Sequence, residues 1–129
     1  MRKVILMIAL AIVSSNAMAG WVSILKSKDG YFYADSDSIQ KNGNLVSMWA
    51  MADYKIPKII QTWKAYKSSK EQDEYDCDGG RVRKLASEAY PENMGMGKLI
   101  RRDTAPVEWT PVASGSITEL MWKFACGKN

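Results

Sequence analysis

Cys77 and Cys126 are the only cysteines in a chain of 129 residues. Whether they are joined decides which segments must lie together, and the N-terminus bears on that. Met1-Arg2-Lys3 precedes an unbroken apolar run from Val4 to Val13. Ser14, Ser15 and Asn16 turn polar, and Ala17 and Ala19 place small residues where a signal peptidase reads. This three-part pattern predicts a secretory signal peptide over residues 1–19, cleaved after Ala19. As a helix the apolar run reaches only about 15 Å, roughly half a bilayer core. No transmembrane anchor is therefore expected in the mature form. In an oxidising compartment an even pair of cysteines is most simply a disulfide. It would close a loop of about fifty residues, contributing about 4 kcal/mol on the chain-entropy account. Two free thiols or a metal-binding pair is the alternative.

The expected mature part, residues 20–129, has the length of one domain. The whole chain carries +4, with 18 basic and 14 acidic residues. Removing Arg2 and Lys3 leaves 16 basic residues against 14, or +2. So small an excess in an exported protein gives no reason to expect a nucleic-acid partner.

Trp21 to Leu25 is a short apolar run with β-branched members. Asp29-Gly30 marks a turn before the aromatic strand Tyr31-Phe32-Tyr33. Asp35 to Ser38 offers cap residues for one helical turn, and Asn42-Gly43 is a second turn signal. Leu45 to Tyr54 places Leu45, Trp49 and Met51 on one side and Val46, Met48, Ala50 and Ala52 on the other. Apolar residues on both sides predict a central strand covered on both faces. Pro57 is expected to mark a loop. Ile59 to Ser68 alternates loosely, then the chain turns acidic at Glu71, Asp73, Glu74, Asp76 and Asp78. Gly79-Gly80 turns it into the basic Arg81, Arg83 and Lys84, so opposite charges face one another across a predicted hairpin. Arg81 to Tyr90 reads as a strand, Pro91 to Gly97 as a loop and Lys98 to Arg102 as a short strand. Pro106 and Pro111 flank Trp109 in an extended connection.

The helix signal is C-terminal. Ser116-Ile117-Thr118-Glu119 is a capping box, with Glu119 expected to reach back to the Ser116 amide. Ile117, Leu120, Met121, Phe124 and Ala125 follow helical spacing, and Gly127 is placed to end the helix. Cys126 falls nearly opposite that stripe. Either the helix unwinds there, or the disulfide joins its flank. Several antiparallel strands followed by one amphipathic helix make an α+β domain.

The chain contains no histidine. It lacks the usual general base, the usual partner of a Ser or Cys nucleophile and the commonest metal ligand. Glu74, Asp76, Asp78 and Gly79 have offsets like the start of a calcium loop, but the position of the closing acid is Leu85. Met94 and Met96 are two thioethers without His or free Cys, a weak soft-metal set. The expectation is a domain that is not an enzyme, with no cofactor and no metal. Binding chemistry has more support. Trp109, between prolines, and Trp122, off the helix stripe, are candidate partner-binding residues, since Trp is enriched at interface hot spots. Lys64 and Lys67 are candidates for an acidic partner, with a solvated strand as the plainer reading of them.

The ordered features resemble the surface-adhesin protein E family of Gram-negative bacteria. They are Tyr31-x-Tyr33-x-Asp35-x-x-Ser38-Ile39, the Trp49/Asp53-Tyr54 strand, Ser68 nine residues before Cys77, Arg81-x-Arg83-x-Leu85, Met94-Gly95-x-Gly97, Trp109-x-Pro111-Val112 and a Ser-x-x-Glu helix closing in Ala125-Cys126. The resemblance spans residues 21 to 127. It implies an antiparallel sheet of about six strands with a C-terminal amphipathic helix tethered by a disulfide, in agreement with the pairing of Cys77 and Cys126. It also implies a non-enzymatic adhesin for host extracellular-matrix or serum proteins. The family's namesake type has a lipid-bearing Cys at its cleavage site, where this sequence has Ala19-Gly20, so no acyl anchor is expected. The alternative is a soluble periplasmic accessory or inhibitor acting on an envelope protein. The product is expected to be exported: periplasmic, associated with the outer surface or secreted.

Overall fold

The computed structural model describes residues 20–60 and 64–128. The signal-peptide reading falls on residues 1–19, outside the described residues. Eight strands form one antiparallel sheet: β1 (Trp21–Lys26), β2 (Gly30–Asp35), β3 (Gln40–Asn42), β4 (Leu45–Ile60), β5 (Lys64–Asp76), β6 (Arg81–Tyr90), β7 (Arg101–Asp103) and β8 (Thr110–Pro111). Helix α1 (Ile117–Cys126) closes the described chain. The main path runs β1-β2-β4-β5-β6-β7, while β3 pairs with β4 and β8 with β6. The expected six strands are thus corrected to eight among the described residues. The main path holds six, and β3 and β8 are segments of three and two residues. Runs that short carry no hydrophobic period for a sequence reading to register.

A second correction concerns Pro57, expected in a loop but lying inside β4. The β4–β5 register shifts between Asp53 and Lys58. Four residues, 54–57, sit there opposite Lys67 alone, so Pro57 occupies an interrupted ladder that does not need its missing N–H.

The core lies between α1 and one face of the sheet. Ala34, Val46, Met48, Tyr75 and Val82 pack against Met121 and Ala125. Ser116 caps the helix, accepting from the Glu119 amide at 3.2 Å. The return bond differs from the expected box: the Glu119 carboxylate accepts from the Gly115 amide at 3.2 Å, and the Ser116 amide donates to Ala113 O. At the other end Gly127 takes a left-handed conformation at φ 69°, and Lys128 N donates to Lys123 O. A left-handed residue here would strain anything with a Cβ. Cys77 and Cys126 form the disulfide, with Cα atoms 5.7 Å apart. Cys126 is the last helical residue and half-buried, so the bridge ties the flank of α1 to the end of β5.

The opposite face is covered at one end by the loop after β6. Asp53 Oδ1 accepts from the Asn93 side chain and the Met94 amide, both at 2.9 Å. Ser68, fully buried, donates to Glu92 O at 2.5 Å and accepts from the Gly95 amide at 2.8 Å. The Met94-Gly95 segment therefore serves loop docking. Asp53 and Ser68 are buried polar groups with every bond supplied by that loop.

Candidate partner-binding surfaces

The strand register sorts the charged side chains onto the two faces. On the helix side, Glu71, Asp73 and Tyr75 of β5 lie beside Lys84 and Val82 of β6. Glu71 and Asp73 look into a hollow of about 160 Å³ walled by Phe32, Ala50, Ala52, Ile117 and Met121. Lys84 Nζ lies 3.1 Å from the Glu71 carboxylate. Burial, then a hydrogen bond to Glu71 and its charge, pushes the Asp73 carboxyl up to about 8. At neutral pH Asp73 is therefore mostly protonated and can donate to the Glu71 carboxyl beside it. The Tyr75 hydroxyl donates back to Asp73 at 3.4 Å, and burial raises its pKa further above the phenol range. Asp73, Glu71 and Lys84 thus form one linked structural chain on the helix side of the sheet.

The other face carries the hairpin charges. Arg81 donates to Asp76 Oδ2 through Nε at 3.2 Å and Nη2 at 2.9 Å. Arg83 binds Glu74 Oε1 through Nε at 2.8 Å and its guanidinium end at 2.7 Å. The acidic-to-basic hairpin expected across Gly79-Gly80 is thus present, and these pairs fix its register. Asp76 also accepts from the Gly79 and Asp78 amides at 2.8 and 3.2 Å. That turn uses the carboxylate whose spacing suggested calcium. The amides and Arg81 hold the Asp76 carboxyl below its ordinary range.

Trp109 joins this array. β8 pairs Thr110 with Val82 on the helix side, which turns Trp109 to the other. Both the Arg81 and Arg83 guanidinium carbons lie 4.9 Å from its ring centre. Trp49, on the same face of β4, is half-buried in register with Gln72 of β5. Two tryptophans and two arginines on one sheet face, opposite the helix, match the residue types enriched at protein interfaces. Trp122 sits elsewhere. Its indole N–H donates to Asp76 O at 3.0 Å, and Lys128 Nζ lies 4.8 Å from the ring centre. It packs the flank of α1 onto the disulfide end of β5.

Lys64 and Lys67 lie apart from both tryptophans. β2 pairs with β4 only as far as Tyr54, and β6 pairs with β5 only from Ser68. At the root Lys55 N donates to Asp29 O at 3.1 Å and its Nζ lies 5.2 Å from the Tyr31 ring centre; beyond it residues 58–60 and 64–66 continue past the sheet with only each other as strand partners. This arm exposes Lys55, Lys58, Lys64 and Lys67. Between them Ile56 is 74% exposed and Ile59 64%. Its base is braced by Tyr54 against Tyr66, edge to face at 5.9 Å, with Lys58 Nζ 5.2 Å from the Tyr54 ring centre. Sequence reasoning singles out Trp109 but not the arm's isoleucines, nor Trp49, Arg81 and Arg83 on the Trp109 face. A run from Tyr54 to Lys70 holding five lysines and no carboxylate was the available signal for the arm. The arginine–tryptophan contacts depend on β8, which leaves no periodic trace.

The surface-adhesin protein E family model matches residues 21–127. The fold is similar to that of Haemophilus influenzae protein E in crystal form II, at 14% identity and a TM-score of 0.69, covering 86% of this chain and 90% of that one. Another structure of Haemophilus influenzae protein E aligns at 14% identity and a TM-score of 0.66, covering 86% of each chain. Protein E from non-typeable Haemophilus influenzae aligns at 14% identity and 0.62, covering 88% of this chain and 79% of that one. No curated protein matches the sequence.

Proposed function

This chain belongs to the surface-adhesin protein E family, and from that premise we propose that it is an exported, non-enzymatic protein-binding domain. Its contact surface is the sheet face opposite α1, and the partner is a host extracellular-matrix or serum protein. The observation that carries the reading is the Trp49–Arg81–Arg83–Trp109 array on that face. Aromatic and arginine side chains are the usual anchors of protein interfaces. Here each arginine is already oriented by a carboxylate, so little side-chain freedom is lost on binding. Ser116 serves as a helix cap, both thiols are in the disulfide, and Glu74 and Asp76 are paired with arginines, which supports binding over chemistry.

The test is surface binding of residues 20–129 to a panel of matrix and serum proteins, comparing the wild type with Trp109→Ala and Arg83→Gln. Saturable binding to a panel member, weakened about ten-fold or more by each variant, supports the reading. Binding that both folded variants retain in full, or no binding across the panel, overturns it. The periplasmic accessory reading is separated by fractionation, in which a wholly periplasmic mature protein would leave the host-binding role without a route to its partner.

A further inference from the structure

The β4–β5 arm has features that a protein-binding face does not require. It combines four exposed lysines with two largely exposed isoleucines. It contains no carboxylate from Tyr54 to Lys70. The rest of the domain has the opposite sign. The chain's formal +4, less the two positive charges at Arg2 and Lys3 and the four on the arm, leaves −2 for everything else, or −1 with Asp73 protonated. The molecule is therefore polarised, with a basic arm on a mildly acidic body. In the body the carboxylates of Glu71, Glu74, Asp76 and Glu88 are paired with Lys84, Arg83, Arg81 and Arg102. Among the described residues, none of the arm lysines is in an ion pair.

We propose that this arm docks on an anionic phospholipid surface, with Ile56 and Ile59 entering the headgroup–acyl boundary and Lys55, Lys58, Lys64 and Lys67 on the lipid phosphates. A soluble polyanion would satisfy the lysines but give the isoleucines nothing. An interfacial lipid layer satisfies both, because apolar side chains sink about 5–10 Å while lysines reach up to the charged plane. The four β5 residues of the arm, 64–67, extend about 13 Å beyond the sheet at ordinary strand rise. That is long enough for Ile59, opposite Ala65, to reach this depth, with Ile56 nearer the root at the shallow edge, while the body stays in water. The body's negative charge turns it away from the same surface, so the electrostatics fix the orientation as well as the attraction. The site is separate from the Trp49–Trp109 face, and this proposal does not rest on that one.

The test is flotation of residues 20–129 with vesicles of phosphatidylcholine alone and of phosphatidylcholine mixed in equal parts with phosphatidylglycerol. The proposal expects retention on the phosphatidylglycerol vesicles only, falling with added salt. Lys58→Gln with Lys64→Gln should weaken it about thirty-fold, since each lysine near an anionic surface contributes roughly a factor of five. Ile56→Ser with Ile59→Ser should weaken it about ten-fold or more at unchanged charge. Circular dichroism confirms that the variants fold. Equal retention on both vesicle types, no retention on either, or an isoleucine pair variant that floats like the wild type overturns the proposal. The last result would mean that the arm reads charge alone.

Discussion

β4 and β5 run side by side through two very different surroundings. At the Cys77 end Val46 and Tyr75 are buried beneath α1, Glu74 and Asp76 are paired with arginines, and the disulfide holds the corner. At the Lys64 end, beyond the Lys55 bond to Asp29 O, the same two strands leave the sheet with no third strand beside them and expose isoleucines and lysines outside any ion pair. The first end is over-determined by burial, ion pairs and a covalent tie. The second has little packing of its own, and a two-stranded ribbon is marginal in water without a packed face. The domain thus keeps its stability at one end of a hairpin and presents contact chemistry at the other.

Removing the clamp should give the largest effect. Cys77→Ala with Cys126→Ala frees a loop spanning a sequence separation of 49, at a cost of about 4 kcal/mol. Denaturant unfolding of wild type and variant checks this, and a cost below about 1 kcal/mol would mean that α1 is held by packing alone.

The next effect is pH-dependent and belongs to the same clamped half. The Asp73 carboxyl is raised to about 8 by burial and by Glu71. Between the carboxyl's unfolded pKa and this folded one the native state holds the extra proton. Asp73 therefore favours folding most below about pH 4, and that contribution is lost as pH rises towards 8. Asp73→Asn should remove the loss and be more stable than the wild type at pH 9 by about 2 kcal/mol, given 1.36 kcal/mol per pKa unit and partial relaxation of the site. Melting curves from pH 5 to about 9 decide it, and parallel profiles would contradict the raised Asp73 carboxyl.

On the loop-covered face, Ser68→Ala removes a hydroxyl with two bonds to the 92–95 backbone. It should cost about 1–2 kcal/mol by leaving the part-buried Gly95 amide and Glu92 carbonyl without this partner. The smallest effect is expected on the arm. Ile56→Ser with Ile59→Ser changes side chains already in water, so stability should move by no more than about 0.5 kcal/mol. A larger loss would show that the arm packs against something.

How much of this was legible follows the same division. The disulfide follows from a single cysteine pair in a chain read as exported, while the capped helix, the two-sided central strand and the charge-paired hairpin come from patterns that capping, burial and charge imprint directly on sequence. Pro57 was misread because proline punctuates an ordinary ladder, whereas a register interruption at 54–57 tolerates it. β3 and β8 were invisible because their pairing is imposed by neighbours. Asp53 and Ser68 stood in the family pattern without a role, and their role is loop docking through backbone amides, which have no sequence signature. Of the candidate contact residues, Lys64 and Lys67 fall on the arm and Trp109 on the arginine face. Trp122 donates to the Asp76 carbonyl at the disulfide end.

Hydrogen–deuterium exchange resolved to single amides tests the contrast between the two ends most directly. The account predicts that amides of Val46 to Asp53 and Gln72 to Asp76 exchange only by near-global opening, while those of Ile56, residues 58–60 and residues 64–67 exchange orders of magnitude faster. Arm amides protected as strongly as those beneath α1, in the isolated monomer, would contradict it.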